Sequence, residues 1–564
     1  MKTNNIMLML LLGSIGLASY AEDRSDDEMQ EIANSALRGS DRTKKTKSPA
    51  GHKVSLVASE KTYNVYSSTG GQYVMVSRDD RFAPVLAKAN GDFLGDDHSS
   101  AFKWWLSATT KAMEQVIEEG DSRQATRAKD WSLSPVEPLM TTIWGQETMP
   151  YNVYTPVINQ KRSAVGCAAL TLAEILNYHK YPESAEFTGS YSIDGGKTFR
   201  SQAVSSTYKW NFKDKYGIYS TDGTTENMSN APYTPSQGRA IGSLLMDCGY
   251  AVDMIYGVES STESDKVPHA FVDKFGFASE GTHIRWADFY TDEEWDNMIH
   301  NEFTSGHPIC IFGTDPEGGY GHIFVGHGWN EDGLVAIEWG WMGIDNGYFS
   351  IDLLKPSKYS FTKNVGIVTA HPHKLPTDTY RSTWITERPY TFVYNSTANS
   401  LTIHLADGIY NFDKDKFTGQ IALVMENASN GQIGYASLTN DRDYDFDSFT
   451  GIGATSTTLS NCSFDANTVY YVYLASKDTR DTEWQPIRTV GGAFYYTLRS
   501  DAYGNATFDD NLNFANDVKD VNVPVMDADA PTTYYNLNGQ AVPASNKGIT
   551  IVRQGNKTRK VLFE

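Results

Sequence analysis

The chain is poor in cysteine. Its 564 residues include four, Cys167, Cys248, Cys310 and Cys462, which lie far apart and show no CxxC or other metal-ligand spacing. A disulfide scaffold is not expected, since a chain of this length can bury enough apolar surface to do without cross-links. Positive charge is scarce as well. Lys and Arg number 48 against 69 Asp and Glu, a net charge of −21, and a nucleic-acid role would need a basic face. Long apolar runs are missing too. The one continuous run, Ile6 to Ala18, is shorter than the ~20 residues that cross a bilayer, so no membrane span is expected. With Lys2 ahead of it and Ser19-Tyr20-Ala21 behind, it reads as a secretory signal over residues 1–21, cut before Glu22. No cysteine follows that point, which excludes a lipid anchor there, and the mature chain is expected to be exported.

Tyrosine (33) and glycine (46) are plentiful, and both point to β-structure with many turns. After the signal, residues 22–50 are polar and charged and read as a flexible leader. From about residue 52 short strands follow, then a helix near Ser99 to Glu118, giving a small α+β unit. The charged stretch that ends at Asp130 reads as a protease-sensitive linker. Residues 131–373 place helices before strands. One helix opens at Thr234-Pro235, another on the capping box Thr291-Asp292-Glu293-Glu294. The strands HPICIFG, HIFVGHGW, LVAIEWGW and GYFSIDL follow, an α+β order. Residues 375–525 alternate apolar and polar positions between Asn, Gly and Asp turns, which predicts a β-sandwich. Residues 530–564 form a β-rich tail. The acidic run Asp441 to Asp447 lacks the Gly and Glu of an EF-hand loop and reads as a solvated surface.

The chemistry concentrates in residues 131–373. Cys167 stands in the first turn of an apolar helix, where unpaired N–H groups and the helix dipole favour a thiolate. Buried packing is the ordinary fate of a cysteine, so partners matter. His322 follows Gly318, Gly319 and Gly321 on a strand, 155 residues after Cys167, close to the ~130–150 that separate the pair in papain-like proteases. His327, five residues on, faces the other side of the strand. Glu338 is a candidate to orient the imidazole and Trp339 to shield that contact; an exposed strand carboxylate and a core tryptophan are the plain alternatives. The Cys167 amide and the side chain of Gln146 are candidate oxyanion donors.

These residues lie in motifs that resemble the streptopain family of secreted bacterial cysteine peptidases. The motifs are WGQ…PYN (Trp144 to Asn152), GCAA…NYHKYP (Gly166 to Pro182), DCGYAVDMIYG (Asp247 to Gly257), GGYGHIFVGHGW and EWGWMGIDNGYF, in the family's order over about 200 residues. The resemblance implies a papain-like α+β catalytic domain with endopeptidase activity, Cys167 as nucleophile, His322 as base and Gln146 in the oxyanion hole. Tyr73 to Ala87 resembles the family's propeptide, which makes residues 22–130 an intramolecular inhibitor. Three departures stand out. Glu338 replaces a usual Asn, His327 a usual Asp, and the loop after Tyr256 is charged where the family is Gly/Ser-rich. The β-sandwich resembles extensions of Bacteroidetes homologues. The tail resembles a sorting module of the type IX secretion machinery, an ordinary β-hairpin being the other reading.

The expected function is therefore a secreted cysteine endopeptidase made as a zymogen. It would act on protein or peptide substrates and need no metal or organic cofactor. A surface adhesin with an inactive peptidase domain is the alternative, and the intact Cys/His/Gln set argues against it. A transglutaminase or amidase is the third reading, disfavoured by the built-in inhibitor.

Overall fold

A computed structural model describes residues 23–38, 54–93, 98–118, 133–193, 195–208, 210, 213–214, 217–218, 235–314, 321–354 and 363–514. In the tail it describes 532–535, 541–542, 548–554 and 557–563. The secretory signal, the linker after Glu118 and the glycines just before His322 other than Gly321 lie outside the described residues. Clustering gives two compact units, 1–515 and 516–564.

The charged stretch after residue 22, expected to be a flexible leader, contains helix α1 (Asp26–Arg38). Met29, Ala33 and Leu37, four apart, form a narrow apolar stripe that buries against Tyr66, Val74, Val76 and Val85. Ile32 and Ala36 pack partly buried beside them, but these few apolar positions among the charges did not stand out in the composition. Next come strands β1 (Val54–Ser59), β2 (Tyr63–Ser68), β3 (Gln72–Ser77) and β4 (Val85–Asn90), then helix α2 (Ser100–Glu118).

Helix α3 (Cys167–His179) begins with the cysteine and is buried from Ala168 to Asn177. Its unbroken burial over these ten residues shows that the apolar helix is enclosed on all sides. Strands β5 (Ser184–Ile193) and β6 (Thr198–Thr207) form a hairpin, and α4 (Pro235–Ala251) packs Ile241, Leu244 and Leu245 into the same core as α3. Then come β7 (Met254–Ile255), β8 (Ile284–Trp286) and α5 (Asp292–Thr304). The expected capping box forms: Glu294 N donates to Thr291 Oγ1 at 3.2 Å, and Thr291 N donates to Glu294 Oε2 at 2.7 Å. Strands β9 (Ile309–Thr314), β10 (Gly321–Trp329), β11 (Val335–Glu338), β12 (Gly347–Phe349) and β13 (Lys363–Val368) complete this part.

The N-terminal strands do not form a sheet of their own. One ten-stranded sheet runs β1-β2-β3-β4-β12-β11-β10-β9-β13-β8. The seam is β4 against β12, with Ala87 opposite Phe349, Lys88 opposite Tyr348 and Ala89 opposite Gly347. Strand alternation gives this sheet two apolar faces. Cys310, Phe312, Ile323 and Val325 pack with α3, whereas Ile309, Ile311, Phe324 and Ile337 pack with α2. The nucleophile helix and the N-terminal helix thus press on opposite faces.

Beyond residue 380 two antiparallel layers enclose one core. The smaller pairs Thr391–Asn395, Ser400–Leu405 and Thr455–Ser460; the larger includes Phe417–Asn427, Val469–Asp478 and Gly492–Ser500. Phe392, Leu401 and Ile403 from one layer meet Ile421, Leu474 and Phe494 from the other, the expected sandwich. In the second unit, Thr532–Tyr535, Ala541–Val542, Gly548–Gln554 and Lys557–Phe563 make a four-stranded antiparallel sheet.

Candidate active site

Cys167 is held at the start of α3 by a glycine that no other residue can replace without strain. Gly166 caps the helix at φ +90°, and a Cβ there would stand 2.7 Å from the Met254 side chain. The sulfur is half-buried. Burial pushes the thiol up from its ordinary value, although the backbone N–H groups of Ile323, Ala168 and Cys167 itself pull the other way. Loss of water therefore works against the thiolate that the helix start favours.

His322 directly precedes Ile323 on β10, so by strand alternation its imidazole lies on the α2 face of the sheet, whereas Ile323 and Cys167 lie on the α3 face. The imidazole sits between two indoles, 6.3 Å centroid to centroid from both Trp104 and Trp341. Its Nδ1 has no hydrogen-bond partner, and burial lowers its pKa to about 4. Trp104 comes from α2. It reaches the ring because Gly313, directly opposite His322 in the sheet, has no side chain; a Cβ there would lie 2.7 Å from the indole. Burial thus disfavours the charged form of both thiol and imidazole, and Trp104 packs roughly perpendicular to the imidazole.

Gln146 is buried two residues after the fully buried Trp144. Its backbone carbonyl accepts from Val165 N at 3.0 Å, two residues before Cys167, and its side-chain Nε2 has no partner. A buried amide left unpaired is costly, and this one is free to meet a negative oxygen.

Glu338 is not on the histidine ring. One carboxylate oxygen accepts from Gly340 N at 3.1 Å and the other from Asn346 Nδ2, so the side chain ties the two ends of the Trp339-to-Asn346 turn. Burial pushes its pKa up to about 8. Glu174 of α3 lies beside it and accepts from Trp144 N at 3.3 Å. Burial first, then the charge of Glu338, raises the Glu174 pKa well above the ordinary carboxylate range. Trp339 is fully buried, donates from Nε1 to Asp345 O at 3.0 Å and packs on Phe324, 4.7 Å between centroids. His327 is buried, its Nδ1 accepting from Met140 N at 3.3 Å.

Residues 144–349 match the model of the Peptidase C10 family, a span that includes all five candidate residues. Streptopain of Streptococcus pyogenes is 27% identical over 316 residues, 52% of this chain and 74% of that one. The chain belongs to the streptopain family of cysteine peptidases. The peptidase is also 27% identical over 302 residues to the thiol protease/hemagglutinin PrtT of Porphyromonas gingivalis, 50% of this chain and 33% of that one. Two solved structures from Prevotella intermedia are similar to it. A prointerpain A fragment, mutated from cysteine to alanine at one position, is 29% identical, with 58% of this chain and 100% of that one covered at a TM-score of 0.49. Active interpain A is 33% identical, with 42% and 95% covered at a TM-score of 0.35.

Four contributors were not singled out in the sequence. Trp104 gave no signal beyond an apolar helix position. Asn346 and Glu174 act through hydrogen bonds and burial that only the fold creates. The last is the pair His98 and Asp345: His98 Nδ1 lies 2.7 Å from Asp345 Oδ1, and Ser99 N donates to Asp345 Oδ2 at 3.0 Å, all buried. It fastens the start of α2 to the turn that carries Trp339.

Proposed function

We propose that the peptidase is an exported endopeptidase made as a zymogen, with Cys167 as nucleophile and His322 as general base and acid. Sγ attacks the peptide carbonyl while His322 takes the thiol proton. Gln146 Nε2 and the Cys167 N–H hold the resulting oxyanion. Collapse of the tetrahedral adduct breaks the C–N bond, and His322 gives its proton to the leaving amine. His322 then takes a proton from water, whose oxygen attacks the thioester and frees the carboxylic acid and the thiol. Glu338 and Trp339 serve this site by fixing the turn that presents Trp341 to the imidazole. The observation that carries the reading is the unpaired, buried side-chain Nε2 of Gln146, on a residue whose backbone carbonyl accepts from Val165 N, two residues before Cys167.

Latency rests on residues 22–130. Trp104 packs on His322, β4 is hydrogen-bonded to β12, and the buried His98–Asp345 pair adds a second fastening. While these stand, the thiol stays protonated and the ring unpaired. Removal of the segment would rehydrate both groups and free the ring to reach the sulfur. Export through a cleaved segment at residues 1–21, with residues 530–564 serving in sorting, completes the proposal. No helix of the described residues is long and apolar enough to cross a membrane.

The test is the chain without residues 1–21, expressed beside Cys167→Ala and followed by gel, N-terminal mass and casein turnover. The parent should trim itself between about residues 118 and 135 and lose activity to a thiol alkylator, with Cys167→Ala remaining full length. If both stay intact, and the parent remains inert to casein after trypsin removes the N-terminal segment, the proposal fails.

A further inference from the structure

A cluster of imidazoles and carboxylates lies away from Cys167, at the other end of α3. Glu302 is in the last turn of α5. His307 enters β9, its N–H donating to Glu302 O at 2.9 Å. His371 follows β13. One ligand atom from each of these three residues lies within 4.8 Å of the other two. The rings of His307 and His371 stack at 4.1 Å between centroids.

His371 is already oriented as a ligand. Its Nδ1 lies 2.9 Å from both carboxylate oxygens of Asp378, and its Nε2 lies 2.9 Å from Glu302 Oε2. An imidazole held at one nitrogen by a carboxylate, with the other nitrogen aimed at further donors, is the usual support for a metal-binding histidine. His307 supplies the independent observation. It is 8% exposed, and its Nδ1 has no partner. His179, the last residue of α3, adds a second buried and unpartnered nitrogen, Nε2, on a ring 5.4 Å from that of His307. Leaving two imidazole nitrogens buried and unpaired beside a carboxylate is unfavourable unless something binds them.

The geometry points to a structural site for a divalent transition-metal ion, zinc by preference, held by Glu302, His307 and His371, with Asp378 behind His371 and His179 at hand as a fourth donor. Imidazole with one carboxylate suits zinc, whereas calcium and magnesium favour all-oxygen sets. Donors on a shared zinc stand about 3.3 Å apart, so the cluster must contract slightly and the ion replaces the His371–Glu302 contact. Bound there, it would join the end of α5, the start of β9 and the segment after β13, against the end of the nucleophile helix. The site is remote from the reacting atoms and supplies rigidity rather than catalysis.

The test uses the untagged chain without residues 1–21 carrying Cys167→Ala, so that no tag or catalytic thiol binds the probe. Titration with Co2+ should give one equivalent of visible bands of four-coordinate strength, and Zn2+ should abolish them and raise the melting temperature. His307→Ala and the nearly isosteric Glu302→Gln should each remove the bands while far-UV circular dichroism stays that of the parent. Asp378→Asn should weaken binding about 10–100-fold. Binding weaker than about 100 µM, bands that survive both His307→Ala and Glu302→Gln, or a sulfur-to-cobalt charge-transfer band placing the ion on a remaining thiol would each overturn the inference.

Discussion

Gln146 is the residue on which catalysis should depend without any change in fold. Its side-chain amide has no structural partner to lose, so Gln146→Ala should fold like the parent. After maturation the variant should lose about 10²–10³ in kcat with little change in KM, as measured for a missing oxyanion donor. A loss confined to KM would remove it from the oxyanion hole. Cys167 makes a second prediction at this scale. Burial raises its pKa in the full chain, so less thiolate is present at neutral pH than on an ordinary thiol. Iodoacetamide should therefore label the full chain slowly at pH 7, faster as pH rises, and far faster once residues 22–130 are removed. Equal rates before and after removal would mean that the N-terminal segment does not control the thiol. The candidate nucleophile and histidine were legible because a glycine before a helix and a histidine after Gly-rich sequence are local signals. The charge state was not, because desolvation is set by residues from distant parts of the chain.

The turn from Trp339 to Asn346 is the element that links catalytic and N-terminal parts. Glu338 braces it from inside, and His98 with Ser99 grips it from α2. The buried Glu338 has its pKa raised to about 8, against about 4.3 for a free glutamate. The folded chain therefore holds more protons than the unfolded one in that window, and the group's contribution is complete below it and lost as pH rises through about 8. Glu338→Gln should flatten the fall in melting temperature of the Cys167→Ala chain between about pH 5 and 8.5. An unchanged slope would show that this carboxyl does not titrate there. The sequence suggested a role for Glu338 at the imidazole, because it sits next to the Trp-Gly-Trp. Pairing decided otherwise: Glu338 lies opposite Val325, three residues along β10 from His322, and so on the other face.

At the scale of the whole molecule, the peptidase core is gripped from two sides. The N-terminal segment extends its sheet across the β4–β12 seam. The β-sandwich is fastened by Arg488, whose Nε donates to Phe289 O at 2.6 Å and whose guanidinium pairs with Glu294 and lies 4.3 Å over the Tyr290 ring. Phe412 and Phe449 of the sandwich pack on Trp286 at 4.5 and 5.6 Å. Both side chains of the Arg488–Glu294 pair are under a tenth exposed. Arg488→Ala leaves the buried Glu294 carboxylate without its counter-charge, with only the capping-box N–H of Thr291 to hold it, and should cost about 3 kcal/mol, read as a lower denaturant midpoint for the Cys167→Ala chain. A loss below about 1 kcal/mol would show that the sandwich is tethered rather than docked.

Element order, the sandwich and the candidate reactive groups could be read from the sequence alone, because each rests on local periodicity, capping or short motifs. Helix α1, whose apolar stripe is narrow, could not. Tertiary contacts alone put ten strands in one sheet, Trp104 against His322 and Glu338 beside Glu174, and create the burial that pushes the thiol pKa up. These depend on which strands pair, on their register and on which groups lose water, quantities fixed by contacts between residues hundreds of positions apart.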